Sequence, residues 1–317
     1  MNKLIVSSSP HIKTNHDTPR IMLDVIIALI PTLIAGVIIF GVQSLIVIAT
    51  CVITCVASEY IFNLIVKKEQ TIGDLSAVVT GLILSLSLPA DIPVPQCIFQ
   101  CFIGSLFAII VVKCLFGGLG SNFANPAVTA RVFMLVCFNE VVGGAKPNFS
   151  SDMTLVAGAT PLPVIESGKE LPSILDMFLG FKGGAIGEVC IAAILLGFIY
   201  LVIRKVIHFE TPLIMVATVF LLSLVIDLNV TTAIYHVLAG GLVYGAVFMA
   251  TDYVTTPMTR TGKMIFAFGC GLMTFLIRAF GSEYPEGVSF AILFMNILSP
   301  YIEKWTMPKA FGKRGKK

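Results

Sequence analysis

Long apolar runs separated by short polar stretches set the layout of this chain. Runs close to the ~20 residues a helix needs to cross a bilayer core fall at about 21–42, 44–66, 97–116, 186–207, 212–228, 231–250, 264–280 and 287–302. Two further runs, Leu75–Pro89 and Asn125–Phe138, have about 15 residues each. They are short for a full crossing and suit half-helices or tightly packed segments. The expectation is an all-α polytopic membrane protein with about ten transmembrane segments, some short or broken. Composition agrees: of 317 residues, 56% are hydrophobic and only 12% charged, with a mean hydropathy of +0.95, against about 25% charged in soluble domains.

The sparse charge is informative by position. The net charge is only +3, from 21 basic and 18 acidic residues, so no nucleic-acid partner is suggested. Loops on the cytoplasmic side carry the excess of Lys and Arg. With ten crossings and both termini inside, sixteen of the 21 basic residues fall on that side: Lys3, Lys13, Arg20, Lys67, Lys68, Lys113, Arg204, Lys205, Arg260, Lys263, Lys304, Lys309, Lys313, Arg314, Lys316 and Lys317. Lys146, Lys169, Lys182 and Arg278 fall outside, and Arg131 lies within a span. The expected divisions are a cytoplasmic tail (1–20), a first membrane repeat (21–138), an extracytoplasmic loop (139–185), a second membrane repeat (186–303) and a basic cytoplasmic tail (304–317).

Two motifs recur. The stretch Lys113-Cys-Leu-Phe-Gly-Gly-Leu-Gly-Ser-Asn-Phe-Ala124 is echoed by Arg278-Ala-Phe-Gly281 and Gly287-Val-Ser-Phe-Ala291. Gly81-Leu-Ile with Asp91 and Pro95 is echoed by Gly241-Leu-Val with Asp252 and Pro257. Five crossings separate the copies, so they point oppositely through the membrane, as in two inverted five-helix repeats. In such folds a central site forms where Gly/Pro-broken segments of the halves meet, here 75–95 and 240–257. Close helix packing by Gly81, Gly240, Gly241 and Gly245 is an equally good reading, and the two can coexist.

Ionisable groups within spans are costly unless paired or hydrated; Asp24, Glu59, Arg131, Glu188 and Asp227 stand out. Arg131, just after Asn125-Pro126-Ala127, could hold a phosphate or pair with Glu59. His236 reads as a packed or hydrogen-bonded residue. The eight cysteines fall in or beside apolar runs without Cys-x-x-Cys spacing, so small-residue packing is their default role. The chain has no Gly-x-Ser-x-Gly elbow, His-Glu-x-x-His, Walker A loop or dinucleotide Gly-x-Gly-x-x-Gly after a strand.

The outer loop contains Thr154-Leu-Val-Ala-Gly-Ala-Thr160-Pro-Leu-Pro163. Gly158 and Ala159 leave the Thr160 hydroxyl uncrowded, and Pro161 and Pro163 keep the following chain extended, so this hydroxyl could accept a modification. Four stretches taken together resemble one family across essentially the whole chain. They are Thr18-Pro-Arg-Ile-Met, Gly117-Gly-Leu-Gly-Ser-Asn-Phe-Ala-Asn-Pro-Ala127, Gly158-Ala-Thr-Pro-Leu162 and Ala250-Thr-Asp-Tyr-Val-Thr-Thr-Pro-Met-Thr-Arg-Thr-Gly-Lys263. This is the NqrB/RnfD family, which unites a membrane component of Rnf electron-transport complexes with one of the sodium-pumping NADH:quinone reductase. The short tail before the first span resembles the Rnf branch more than the quinone reductases, whose N-terminal extension is longer.

The resemblance implies a flavin mononucleotide (FMN) joined through its phosphate to Thr160, with Gly158 and Ala159 beside it. The family motif usually reads Asp-x-x-Ser/Thr-Gly-Ala-Thr, whereas this chain has Thr154 and Ala157 at the first and fourth positions. It also implies a urea-transporter-like ten-helix fold in a prokaryotic cell membrane and, in some members, a second, non-covalent flavin, riboflavin. Arg131, Asn125 and Asp252 are the candidates for an ion or electron path or a flavin contact. The implied partners are the bilayer and the rest of an Rnf complex: membrane subunits, a second flavin-bearing subunit, and iron–sulfur and NADH-binding subunits. The implied activity is membrane electron transfer between ferredoxin and NAD coupled to Na⁺ or H⁺ translocation. The inverted repeat leaves two alternatives, a channel or secondary transporter and a non-redox scaffold.

Overall fold

A computed structural model describes residues 17–138, 173–281 and 287–308. About 75% of it is helical. Five helices are long and apolar enough to cross a membrane alone: α1 (Thr18–Phe40), α2 (Val42–Val66), α4 (Val94–Cys114), α8 (Glu210–Asp227) and α11 (Arg260–Phe280). The last eight residues of α4, from Phe107, are wound as a π-helix. A further crossing is a bent pair, α9 (Val230–Leu238) and α10 (Leu242–Met249), which meet at 62°. Shorter apolar helices are α3 (Ser76–Leu86), α5 (Pro126–Cys137) and α7 (Ile191–Ile203). The one-turn-plus helix α6 (Ile174–Leu179) and the final helix α12 (Val288–Thr306) complete the described set.

Side chains facing outward are apolar, among them Ile38, Val42, Ile53, Ile65, Leu196 and Val225. In water such a surface would be an aggregation site; here it is the lipid-facing belt of a polytopic membrane protein. Pro31 within α1 and Pro300 within α12 are tolerated because neighbouring helices can satisfy the freed carbonyls.

Each expected apolar run contains a helix, with two corrections. The run at 186–207 is helical only over α7, because residues 184–190 descend in non-helical form. The amide of Ile186 donates to Leu88 O at 3.0 Å and that of Gly187 to Leu86 O at 2.6 Å, so this segment uses the carbonyls left at the end of α3. Gly187 permits the approach, since a Cβ there would lie 2.9 Å from Leu86 O. The run at 231–250 is not one helix either: it breaks at Ala239–Gly241, with Gly240 at φ +65.

α1 and α7, the first helices of the two proposed repeats, pack antiparallel. Asp24 near the start of α1 meets Tyr200 and Arg204 at the end of α7. Further along, Gly197 abuts Ala28 and Gly36 abuts Ile186, so sequence order reverses along the contact.

Side-chain bonds also gather one end of the bundle. Asp24 meets Arg204; Glu210 meets Arg260; Thr259 and Thr306 hydroxyls are 2.5 Å apart; Glu59 meets Lys113. The start of α1, the ends of α2, α4, α7 and α12, and the starts of α3, α8 and α11 therefore share one face. That face carries the described basic residues assigned above to the inner side.

Candidate functional site: a cleft between the two halves

The cleft opens on this basic face. It has a cavity volume of about 90 Å³, room for a few water molecules, within a larger solvent-open recess. Its walls come from both halves: Ile21, Met22 and Val25 of α1, Thr80 and Ile83 of α3, the 119–127 turn, Leu201 of α7, Phe248 of α10 and the 251–254 turn. Most of the lining is apolar, with a few polar groups among it, as in small-molecule sites generally.

Asn125 anchors the turn. Its side chain caps α5, accepting from the amides of Ala127 at 3.0 Å and Val128 at 3.4 Å, and Pro126 fits the first helical position, where no N–H is needed. Its own amide donates to Met249 O at 3.3 Å, tying the first half to the end of α10. Nearby, Asn122 Oδ1 is buried with no hydrogen-bond partner.

Asp252 shapes the opposite wall. Its carboxylate accepts from Thr255 Oγ1 at 3.0 Å and from the Val254 amide at 3.4 Å, which fixes the turn after α10. Burial raises the Asp252 carboxyl above its ordinary 3.8, while the hydrogen bonds from Thr255, Val254 and Tyr253 pull it back.

Lys113 lines the cleft beside Ser76. Only 1% exposed, its ammonium lies 2.9 Å from each carboxylate oxygen of Glu59 and 2.6 Å from Ser76 Oγ. Thr71 Oγ1 donates to Glu59 at 2.7 Å and accepts from Asn63 Nδ2 at 3.0 Å. This corrects the expected pairing of Glu59 with Arg131: Lys113, on the helix facing α2, takes the carboxylate instead. Lys113 is also a buried part of the site and no loop residue. Its position inside Ile109-Ile-Val-Val-Lys-Cys-Leu-Phe was the available signal, because a lysine at the end of an apolar run needs a partner.

Of the candidate residues, Asn125 and Asp252 line the cleft together; Arg131, buried on α5, does not line it. Thr160, Gly158 and Ala159 lie outside the described residues, as does most of the 139–185 loop. Its described end is docked: Met177 of α6 is fully buried beside Ala239, and Lys182 is buried with its ammonium donating to Leu238 O. Lys182 is therefore no exposed loop charge. Arg278 donates to His236 O at 2.5 Å and Ala239 O at 3.2 Å, so two cations cover the carbonyls freed where α9 breaks. His236 itself faces Asp227, Nε2 to Oδ2 at 3.5 Å. Among the described residues no group of three or more His, Cys, Asp or Glu is placed to hold a metal ion.

Long apolar helices, with broken and π-wound ones among them around a cleft, make this an all-α polytopic membrane protein. The chain belongs to the NQR2, RnfD, RnfE family, whose model matches residues 5–312. It is 42% identical over 314 residues to the D subunit of the Na(+)-translocating ferredoxin:NAD(+) oxidoreductase complex of Acetobacterium woodii, covering 98% of this chain and 95% of that protein. It is 39% identical over 327 residues to the D subunit of the proton-translocating ferredoxin:NAD(+) oxidoreductase complex of Clostridium ljungdahlii, with coverage of 99% and 97%. A third relative, the D subunit of the ion-translocating oxidoreductase complex of Stutzerimonas stutzeri, is 36% identical over 335 residues, with coverage of 94% and 93%.

Proposed function

We propose that this chain is the D subunit of an ion-translocating ferredoxin:NAD⁺ oxidoreductase complex and acts as a membrane electron carrier. The observation that carries this reading is the 42% identity along nearly the full length of a protein so named. The chain works with the other subunits of that complex, which supply the ferredoxin and NAD sites. It runs as two membrane repeats, 21–138 and 186–303, joined by the 139–185 loop on the extracytoplasmic face. The tails 1–20 and 304–317 lie in the cytoplasm; the basic face described above supports this orientation.

Thr160 carries FMN as a phosphoester, with Gly158 and Ala159 keeping its hydroxyl accessible; the motif alone supports this. Asn125 and Asp252 belong to the seat of a second, non-covalent flavin, riboflavin, in the cleft. What supports this is a mostly apolar lining that carries Asn122, Asn125, Thr251 and Asp252, and the buried Asn122 acceptor with no partner. The enclosed volume of about 90 Å³ takes only part of a flavin, so the rest would occupy the open recess. Either flavin, when bound, supplies one- or two-electron chemistry. The protein's part is position and polarity. Asn125 fixes the turn, Asp252 holds the opposite wall, and Lys113, paired with Glu59, borders the cleft near its opening. Arg131 stands apart from the cleft as a buried cation of α5.

Deleting the gene and complementing with the wild-type chain tests the assignment. Membranes lacking it should lose ferredoxin-dependent NAD⁺ reduction and the accompanying ion uptake, and regain both on complementation. Unchanged reduction in the deletion membranes overturns it.

A further inference from the structure

Three thiols meet where α2 packs against the outer half of α4. Cys97 and Cys101, each 1% exposed, lie on one face of α4 with their sulfurs 3.9 Å apart. Cys51 of α2, fully buried, is the nearest thiol to Cys101 on the neighbouring helix. All three are free thiols.

We propose that Cys97 and Cys101 form a redox-active dithiol which a two-electron oxidant converts to an intrahelical disulfide. Residues four apart on a helix have Cα atoms about 6 Å apart, inside the range a disulfide spans. The sulfurs are already neighbours. Cβ atoms four apart on a helix, however, lie about 5–6 Å apart and a disulfide needs about 3.5–4.5 Å, so closure also requires the first turns of α4 to unwind locally. The pair sits at the start of α4, where the chain has just left the non-helical 87–93 segment, so that adjustment falls on a helix end.

Cys51 is the alternative partner of Cys101 but lies on another helix. Its backbone is held by α3, since Val52 Cα lies 2.8 Å from where a Cβ on Gly81 would sit. Bringing Cys51 to bonding distance would require that packed contact to move. The intrahelical pair is the less constrained one.

The chemistry balances with hydrogen peroxide: one thiol is oxidised to a sulfenic acid with release of water, and the second thiol displaces hydroxide from that sulfur, releasing a second water. With diamide, both hydrogens pass to the diazene, which becomes a hydrazine. A bond between residues four apart on a helix is strained, which places it among the readily reduced disulfides. Oxidation would also draw Cys101 Sγ from Cys51 and loosen a contact between α2 and α4.

The test uses the full-length protein in its native membranes. Membranes are treated with diamide, free thiols are blocked with N-ethylmaleimide under denaturing conditions, and peptides are mapped by mass. The expected result is a peptide containing Cys97 and Cys101 that is two hydrogens lighter and unalkylated, restored by dithiothreitol, with Cys51 alkylated. C97S should leave Cys101 alkylated, and C51S should leave the disulfide intact. A Cys51–Cys101 linkage in the wild-type chain, or full alkylation of Cys97 and Cys101 after oxidation, overturns the proposal.

Discussion

The ammonium of Lys113 sits 2.9 Å from both carboxylate oxygens of Glu59, with both side chains almost wholly shielded from solvent. Removing one partner of such a pair leaves a buried charge uncompensated. Lys113→Met should therefore cost about 3–5 kcal/mol, seen as a marked drop in thermal stability of the detergent-solubilised protein. Adding Glu59→Leu should recover most of it. A Lys113→Met single variant as stable as wild type would contradict this contribution of the pair.

Asn125 has two tasks that one substitution separates. Asn125→Asp keeps the acceptor that caps α5 but loses the donor to Met249 O. Asn125→Ala loses both, and the lost cap alone costs about 1 kcal/mol. Both variants should retain less non-covalent flavin after purification, with the Ala variant also less stable by thermal melting. Riboflavin content equal to wild type in both would remove Asn125 from the seat.

Asp252 sets a pH dependence of unusual sign for a carboxylate. Because its folded value is raised above 3.8, the folded state holds this proton more tightly than the unfolded chain does. Its contribution to stability is therefore most favourable below 3.8 and falls as pH rises through the raised value. Asp252→Asn should flatten that part of the stability profile and gain stability at neutral pH. A profile unchanged by the substitution would show that Asp252 titrates normally.

Packing at the central break sets a further expectation. A Cβ at Gly245 would lie 2.6 Å from Val288 Cγ1, and one at Gly187 would approach Leu86 and Tyr244. Gly187→Val should be the more damaging, because it meets backbone as well as side chain. The yield of folded protein from membranes checks the order, and equal yields would count against the close approach.

Much of this architecture was legible in the chain because lipid imposes a strict length and polarity rule on every span. The ten apolar runs each hold a helix, and the Gly81 and Gly241 segments do meet, Tyr244 OH donating to Ile83 O at 3.2 Å. Hydropathy could not show that residues 184–190 descend in non-helical form, since backbone pairing with Leu86 and Leu88 is a tertiary event. Nor could it choose the partner of Glu59: Lys113 and Arg131 both lay in apolar runs, and only helix packing decides between them. The cleft was half legible. Asn122, Asn125 and Asp252 stood in motifs, whereas Thr80 is an ordinary residue whose role comes from facing the same recess.

The flavin assignment is tested most directly on the purified chain itself. The protein is denatured in SDS, its gel band examined for flavin fluorescence, and the peptide spanning Gly158 to Pro163 mapped by mass. A fluorescent band with an FMN-sized adduct on Thr160, lost in Thr160→Val protein that still reaches the membrane, is the expected result. A dark band of correct mass from cells that flavinylate other proteins, or an adduct at another residue, would contradict it.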